Sequence, residues 1–142
     1  ATGDKASEMG FLEGSHNAPA AHAGIVLQYK ETVADVCRKV DGLLGGAQPV
    51  NALLVARAGY ALTVLTHLQR RGLRLPDDVA LISRDDDAVF NYVTPDVARY
   101  ACNPLTFALR LSRIVLQLAR ARIAPPRQTL LMPEFLKGAT AG

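Results

Sequence analysis

Cysteine is scarce in this sequence: two residues, Cys37 and Cys102, among 142. They stand in neither C-x-x-C nor Cys/His spacing. That weighs against a zinc site and a disulfide framework, and it fits a reducing compartment in which both thiols act as small apolar fillers. No run approaches the roughly 18 uninterrupted apolar residues of a membrane helix, and no basic stretch followed by an apolar core marks a signal peptide. The expectation is therefore a cytoplasmic location with no membrane partner. Charge of one sign is not in large excess either. The 16 Lys and Arg against 13 Asp and Glu give a net +3, dispersed along the chain, which does not argue for nucleic-acid binding by these residues themselves. His16, His22 and His67 form no i, i+4 pair and no base-plus-nucleophile spacing, so they read as surface residues. P-loop, G-x-G-x-x-G and G-x-S-x-G patterns are missing. Neither an enzyme nor a bound metal or cofactor is expected.

What is present is ordinary for one globular domain: 49% apolar and 20% charged residues in a chain long enough to bury a core. The organising stretch is Asn51 to Asp87. Two apolar runs of strand length, Ala52–Ala56 and Val79–Ile82, flank a segment in which Ala61, Val64, Leu65 and Leu68 follow i, i+3, i+4, i+7 spacing. Neither run alternates, so each strand is expected to be covered on both faces, as parallel strands joined by a helical crossover are. Arg70 and Arg71 suit the last helical turn, Gly72 its left-handed cap, and Pro76 forbids continuation.

The same rhythm extends outward. Upstream, a helix is expected from Asp4, as its cap, to about Gly14 with Met9 and Leu12 turned inward. A loop follows over His16–Gly24, then a strand over Ile25–Tyr29 and a helix over Glu31–Leu44 ended by Gly45-Gly46. Downstream, the pattern predicts a turn over Ala88–Tyr92 and a strand over Val97–Ala101. A helix then begins at Pro104 and stops at Pro125-Pro126, followed by a strand over Thr129–Met132 and a loose end from Gly138. In the Pro104 helix, Leu105, Ala108, Leu109, Val115 and Leu116 form a stripe that Leu111, Ile114 and Leu118 widen, so it needs partners on more than one side. The fold class is α/β: a parallel sheet in three layers, with helices on both faces. A fold that opens on a crossover helix should have a strand before it, so the chain is expected to be a fragment.

Ligands of open parallel sheets bind beyond the carboxyl ends of the strands, which selects Arg57 and Asp85. The Asp85-Asp86-Asp87 run has the oxygens a hard cation prefers. Alternate residues point opposite ways, however, and Arg84 already offers a counter-ion.

Leu75-Pro76-Asp77-Asp78-Val79-Ala80-Leu81-Ile82-Ser83-Arg84-Asp85-Asp86, with Gly72 before it and Thr94-Pro95 after it, resembles a segment of the lactose-repressor/galactose-repressor (LacI/GalR) family of bacterial transcription regulators. Asn51–Ala56, Lys5–Phe11 and Arg127–Phe135 extend the resemblance over nearly the whole chain. It implies a periplasmic-binding-protein-like fold of two lobes with a ligand cleft between them. Residues 1–101 would be the second lobe without its first strand, and residues 102–142 a crossover helix and closing strands shared with the other lobe.

The resemblance further implies a small-molecule effector, a sugar or sugar acid, gripped by Lys5, Arg57 and Asp85. It also implies a homodimer through Tyr60, Leu62, Phe90 and Tyr92, and operator DNA read by a module outside this chain. Arg57-Ala58 departs from the family's Asn-Asp, Arg84 from its aromatic, Lys5 from its arginine and Cys102 from its polar residue. Two extra arginines beside the cleft suit an acidic sugar or another anion; an ion-pair cluster at a strand end is the other reading of Arg84 with Asp85 to Asp87. Tyr60, Leu62, Phe90 and Tyr92 are open to a second reading too, as closure of the local core. The alternative function is a transport-associated sugar-binding protein of the same architecture.

Overall fold

The apolar spacing of Ala61, Val64, Leu65 and Leu68 produces the helix around which the structure is assembled. In the computed structural model, which describes residues 2–18, 24–30, 32–121 and 131–141, these four side chains are at most 2% exposed. The elements are α1 (Thr2–Asn17), α2 (Val33–Leu44), β1 (Ala52–Val55), α3 (Ala58–Arg70), β2 (Ala80–Ser83), a 3-10 turn (Ala88–Tyr92), β3 (Ala98–Ala101), α4 (Pro104–Ala121) and β4 (Glu134–Leu136). One sheet runs in the order β1-β2-β3-β4. Its first three strands are parallel and β4 is antiparallel to β3. The chain is α/β with a mostly parallel sheet.

Helix α3 packs on β1 and β2, and α2 packs on α3 through Val36 and Val40. Full burial of a leucine such as Leu65 or Leu68 contributes about 1.5–3 kcal/mol. Gly72, at φ +75°, ends α3. Its amide donates to Gln69 O and that of Leu73 to Leu68 O, the paired bonds of a Schellman closure. Asp41 on α2 ties the two helices together, accepting from His67 Nε2 at 2.8 Å and Arg71 at 2.6 Å. At the start of α2, Thr32 accepts from the Asp35 amide, while the buried Asp35 carboxylate accepts from the Lys30 amide at 2.8 Å. That amide, before any side chain, holds the Asp35 carboxyl below the usual carboxylate range.

Several expectations are corrected. Helix α1 begins at Thr2, so Asp4 lies inside it rather than at its cap. Met9 is 70% exposed, and Leu12 is exposed too. The inward face carries Ser7, Glu8 and Phe11, because the ring of Phe11 takes the space and residues three and four apart share a face. Ile25–Tyr29 is not a strand, having no ladder partner among the described residues. Strand β1 alternates between exposed and half-buried residues, because α3 covers one face and no described element covers the other. The last strand lies at Glu134–Leu136. Thr129 and Leu130 are outside the described residues, and Leu131 and Met132 are unpaired among them.

The end from Gly138 is not loose. Thr140 is fully buried; its hydroxyl accepts from the Ala98 amide at 3.0 Å and donates to Leu81 O at 2.7 Å. Its own amide donates to Asp96 O, and its carbonyl accepts from the Leu81 amide. A β-carbon on Gly138 would stand 2.5 Å from the Ala98 nitrogen, so only glycine lets the backbone approach.

Helix α4 begins as expected. Asn103 caps it, accepting from the Leu105 and Thr106 amides, with Pro104 at the tolerated first position. No other helix or strand packs against it among the described residues. Leu105, Leu109, Val115 and Leu116 are all at least half exposed, a concentration of bare apolar surface that marks an interaction face. No described helix is long and apolar enough to cross a membrane.

Candidate functional site

The carboxyl ends of β1 and β2 are held in step by the ladder and by the Arg84 amide, which donates to Val55 O at 2.8 Å. Past Val55 the chain turns through Ala56 and Arg57 into α3, with Arg57 as the cap residue. Past Ser83 it enters the Arg84–Asp87 run. The buried Ser83 hydroxyl donates to Asp85 O at 2.7 Å, which fixes the turn.

Each aspartate of the run has a local partner. Asp85 pairs with Arg84 at 3.3 Å and Asp86 with Arg99 at 2.7 Å, while Asp87 accepts from the Val89 amide and caps the 3-10 turn. Among the described residues no group of three His, Cys, Asp or Glu side chains could hold a metal. The run is therefore an ion-paired strand end, with Arg99 also near Asp96 at 3.3 Å.

A cavity of about 830 Å³ extends along β1, from Gln48 and Pro49 near the strand's start to Arg57 beyond its end. Its body is apolar, with Val36, Val40, Leu43, Leu53, Val55 and Val64 on the wall. Its far end is polar: Arg57, Arg84, Tyr29 and Tyr60 border it, and the two tyrosine rings meet edge to face at 4.8 Å. Arg57 and Arg84 thus share one wall. Lys5, exposed on α1, and Asp85, half-buried, do not border this cavity.

The flank residues separate. Tyr92 is 88% exposed, whereas Tyr60 is half-buried against Tyr29, and Leu62 packs on the core. Phe90 is 1% exposed and lies under the Arg99 guanidinium, 5.8 Å from the ring centroid. It is a core residue in this chain, in the same buried cluster as Val97 and Leu81. The four do not make a continuous surface. Sequence reasoning also passed over Arg99, Asn103 and Thr140. Asn103 was findable, since Asn-Pro ahead of an apolar helix is a cap followed by the first helical position.

The family model described as the periplasmic binding protein-like domain matches residues 6–141. The chain belongs to that family. Comparison with curated proteins finds no match, but solved structures share the fold. One is a LacI family transcriptional regulator from Bifidobacterium animalis subsp. lactis, with 18% identity and a TM-score of 0.70 over 85% of this chain and 44% of that one. A second, from Arthrobacter sp. FB24 in complex with lactose, has 19% identity and a TM-score of 0.68 over 80% and 43%. A third is a sugar-binding transcriptional regulator of the LacI family from Escherichia coli complexed with phosphate, with 21% identity and a TM-score of 0.60 over 82% and 44%. The chain spans less than half the length of these structures. The polar end of the cavity lies beyond the carboxyl ends of two parallel strands, the region where open parallel sheets in general bind ligands.

Proposed function

We propose that this chain is part of the effector-sensing region of a cytoplasmic transcription regulator of the lactose-repressor type. A small molecule, a sugar or sugar acid, sits at the carboxyl ends of β1 and β2 between this lobe and a second one. The observation that carries the reading is the convergence of Arg57 and Arg84 on one cavity mouth in a chain of this family. Lys5 and Asp85 join the site once a second lobe closes over it. The bare stripe of α4 supports such a lobe, since exposed apolar surface on this scale is stabilised by a partner. Ligand binding would then alter the angle between lobes, and with it the spacing of DNA-reading modules carried elsewhere in the polypeptide and paired by homodimerisation.

Amide chemical-shift titration of residues 1–142 with neutral pentoses, hexoses and uronates tests the first step. The expected result is weak binding, because one wall buries only part of a ligand. Shifts should be confined to residues 56–59 and 84–87 and be reduced in Arg57→Ala. Shifts centred elsewhere, or none with any sugar, would sink the proposal.

A further inference from the structure

The cavity mouth is cationic, and that has a bearing on what occupies it. Arg57 and Arg84 leave neighbouring parallel strands side by side, their backbones joined through the Arg84 amide and Val55 O at 2.8 Å. Both line the cavity, as does Lys39; among the described residues of the wall, Glu8 is the single carboxylate, and it accepts from Gln28 Nε2 at 3.3 Å. Lys39 is engaged by Asp35 at 3.4 Å and by Gln28 O. Arg84 is engaged by Asp85 at 3.3 Å, both side chains being partly exposed.

Arg57 stands at the cap of α3, a position where Ser, Thr, Asp or Asn ordinarily accepts from the first amides. It makes no side-chain cap bond, and the first turn of α3 has no acidic residue. The positive end of this 13-residue helix, worth roughly half an elementary charge, therefore has a guanidinium side chain at its cap and no carboxylate in its own first turn. Anionic groups are what helix amino termini and forked guanidinium groups both bind well.

We propose that the effector is an anion, a sugar derivative whose carboxylate or phosphate lies between Arg57 and Arg84 at the start of α3. This rests on the sensing function proposed above and narrows its ligand class. A neutral sugar offers the two guanidinium groups no charge, so an acid is favoured over a neutral sugar of the same shape.

The test compares glucose, glucuronate and glucose 6-phosphate as probes by amide chemical-shift titration of residues 1–142 at fixed ionic strength, then repeats it in Arg57→Gln and Arg84→Gln. At least one acid should bind roughly tenfold tighter than glucose, and that ratio should fall severalfold in each variant. In the unaltered chain, added salt should weaken the acid and leave glucose unchanged, a readout that does not depend on either variant folding. Glucose binding as tightly as both acids, with the same amides shifted, would overturn the anionic assignment while leaving the sensing function standing. Binding by no sugar of any kind, neutral or acidic, would remove the sensing function itself.

Discussion

Replacing Thr140 by valine keeps the side chain's shape and removes its hydroxyl. In the native chain that hydroxyl accepts from the Ala98 amide at 3.0 Å and donates to Leu81 O at 2.7 Å, inside a site with no exposure to solvent. Valine leaves an amide and a carbonyl without this partner. A buried polar group deprived of its partner costs about 1–3 kcal/mol, so the two together should cost about 2–4 kcal/mol once the backbone relaxes around them. Thr140→Ser retains both hydrogen bonds and gives up one methyl group, about 1 kcal/mol. Urea unfolding followed by circular dichroism is the assay, with a lowered midpoint and an unchanged slope as the expected signature of a stability effect. For a chain of this length the valine variant should also melt roughly 6–12 °C lower. If valine matches the native protein to within about 0.5 kcal/mol, or serine is as damaging as valine, then the hydroxyl does not bridge Ala98 and Leu81.

Two further perturbations probe the helices. Asp41 on α2 has its carboxyl held below the ordinary value of 3.8, first by the hydrogen bond from His67 and then by the charges of His67 and Arg71. Because the folded value is the lower one, its contribution is complete above about pH 4 and fades as pH falls through the folded value. The stability difference between native protein and Asp41→Asn should shrink on acidification below that point; a difference that grows there would contradict the assignment. On α4, Leu109→Lys with Val115→Lys should leave the unfolding midpoint within about 0.5 kcal/mol of native, since both side chains are more than half exposed. Residues 1–142 are expected to self-associate through this bare face, and the same pair should reduce that association in sedimentation experiments. Loss of more than about 2 kcal/mol would show that α4 is packed.

The β1-α3-β2 unit was legible because its signals agree: apolar spacing, basic last turn, Gly72 and Pro76 all describe one element ending at one place. Pro104 and the turn over Ala88–Tyr92 were legible for the same local reasons. Thr140 was not, because a hydroxyl near the end of the sequence carries no mark of the two main-chain groups it will meet, 42 and 59 residues away. Ile25–Tyr29 has strand composition, yet a strand exists only through its neighbour, and no ladder reaches it among the described residues. Phe90 reads equally well as a flank or a core residue, since an isolated aromatic beside a strand end fixes no direction. At the site, strand ends selected Arg57 and Asp85 for ligand contact, and of the two Arg57 borders the cavity. Arg84 was expected beside the cleft with Arg57; that Asp85 would stand off their wall was not legible, because a turn pinned by the Ser83 hydroxyl decides which side chain faces which way.

The bonds of residue 140 also have a mechanical meaning. They join the tail to residues 81, 96 and 98, so a pull at this end is delivered to the interior of the sheet and not to its rim. A tether fastened downstream would load β2 and β3 at once, and the first bonds to feel the tension would be those of Thr140 between these two strands instead of bonds at an outer edge.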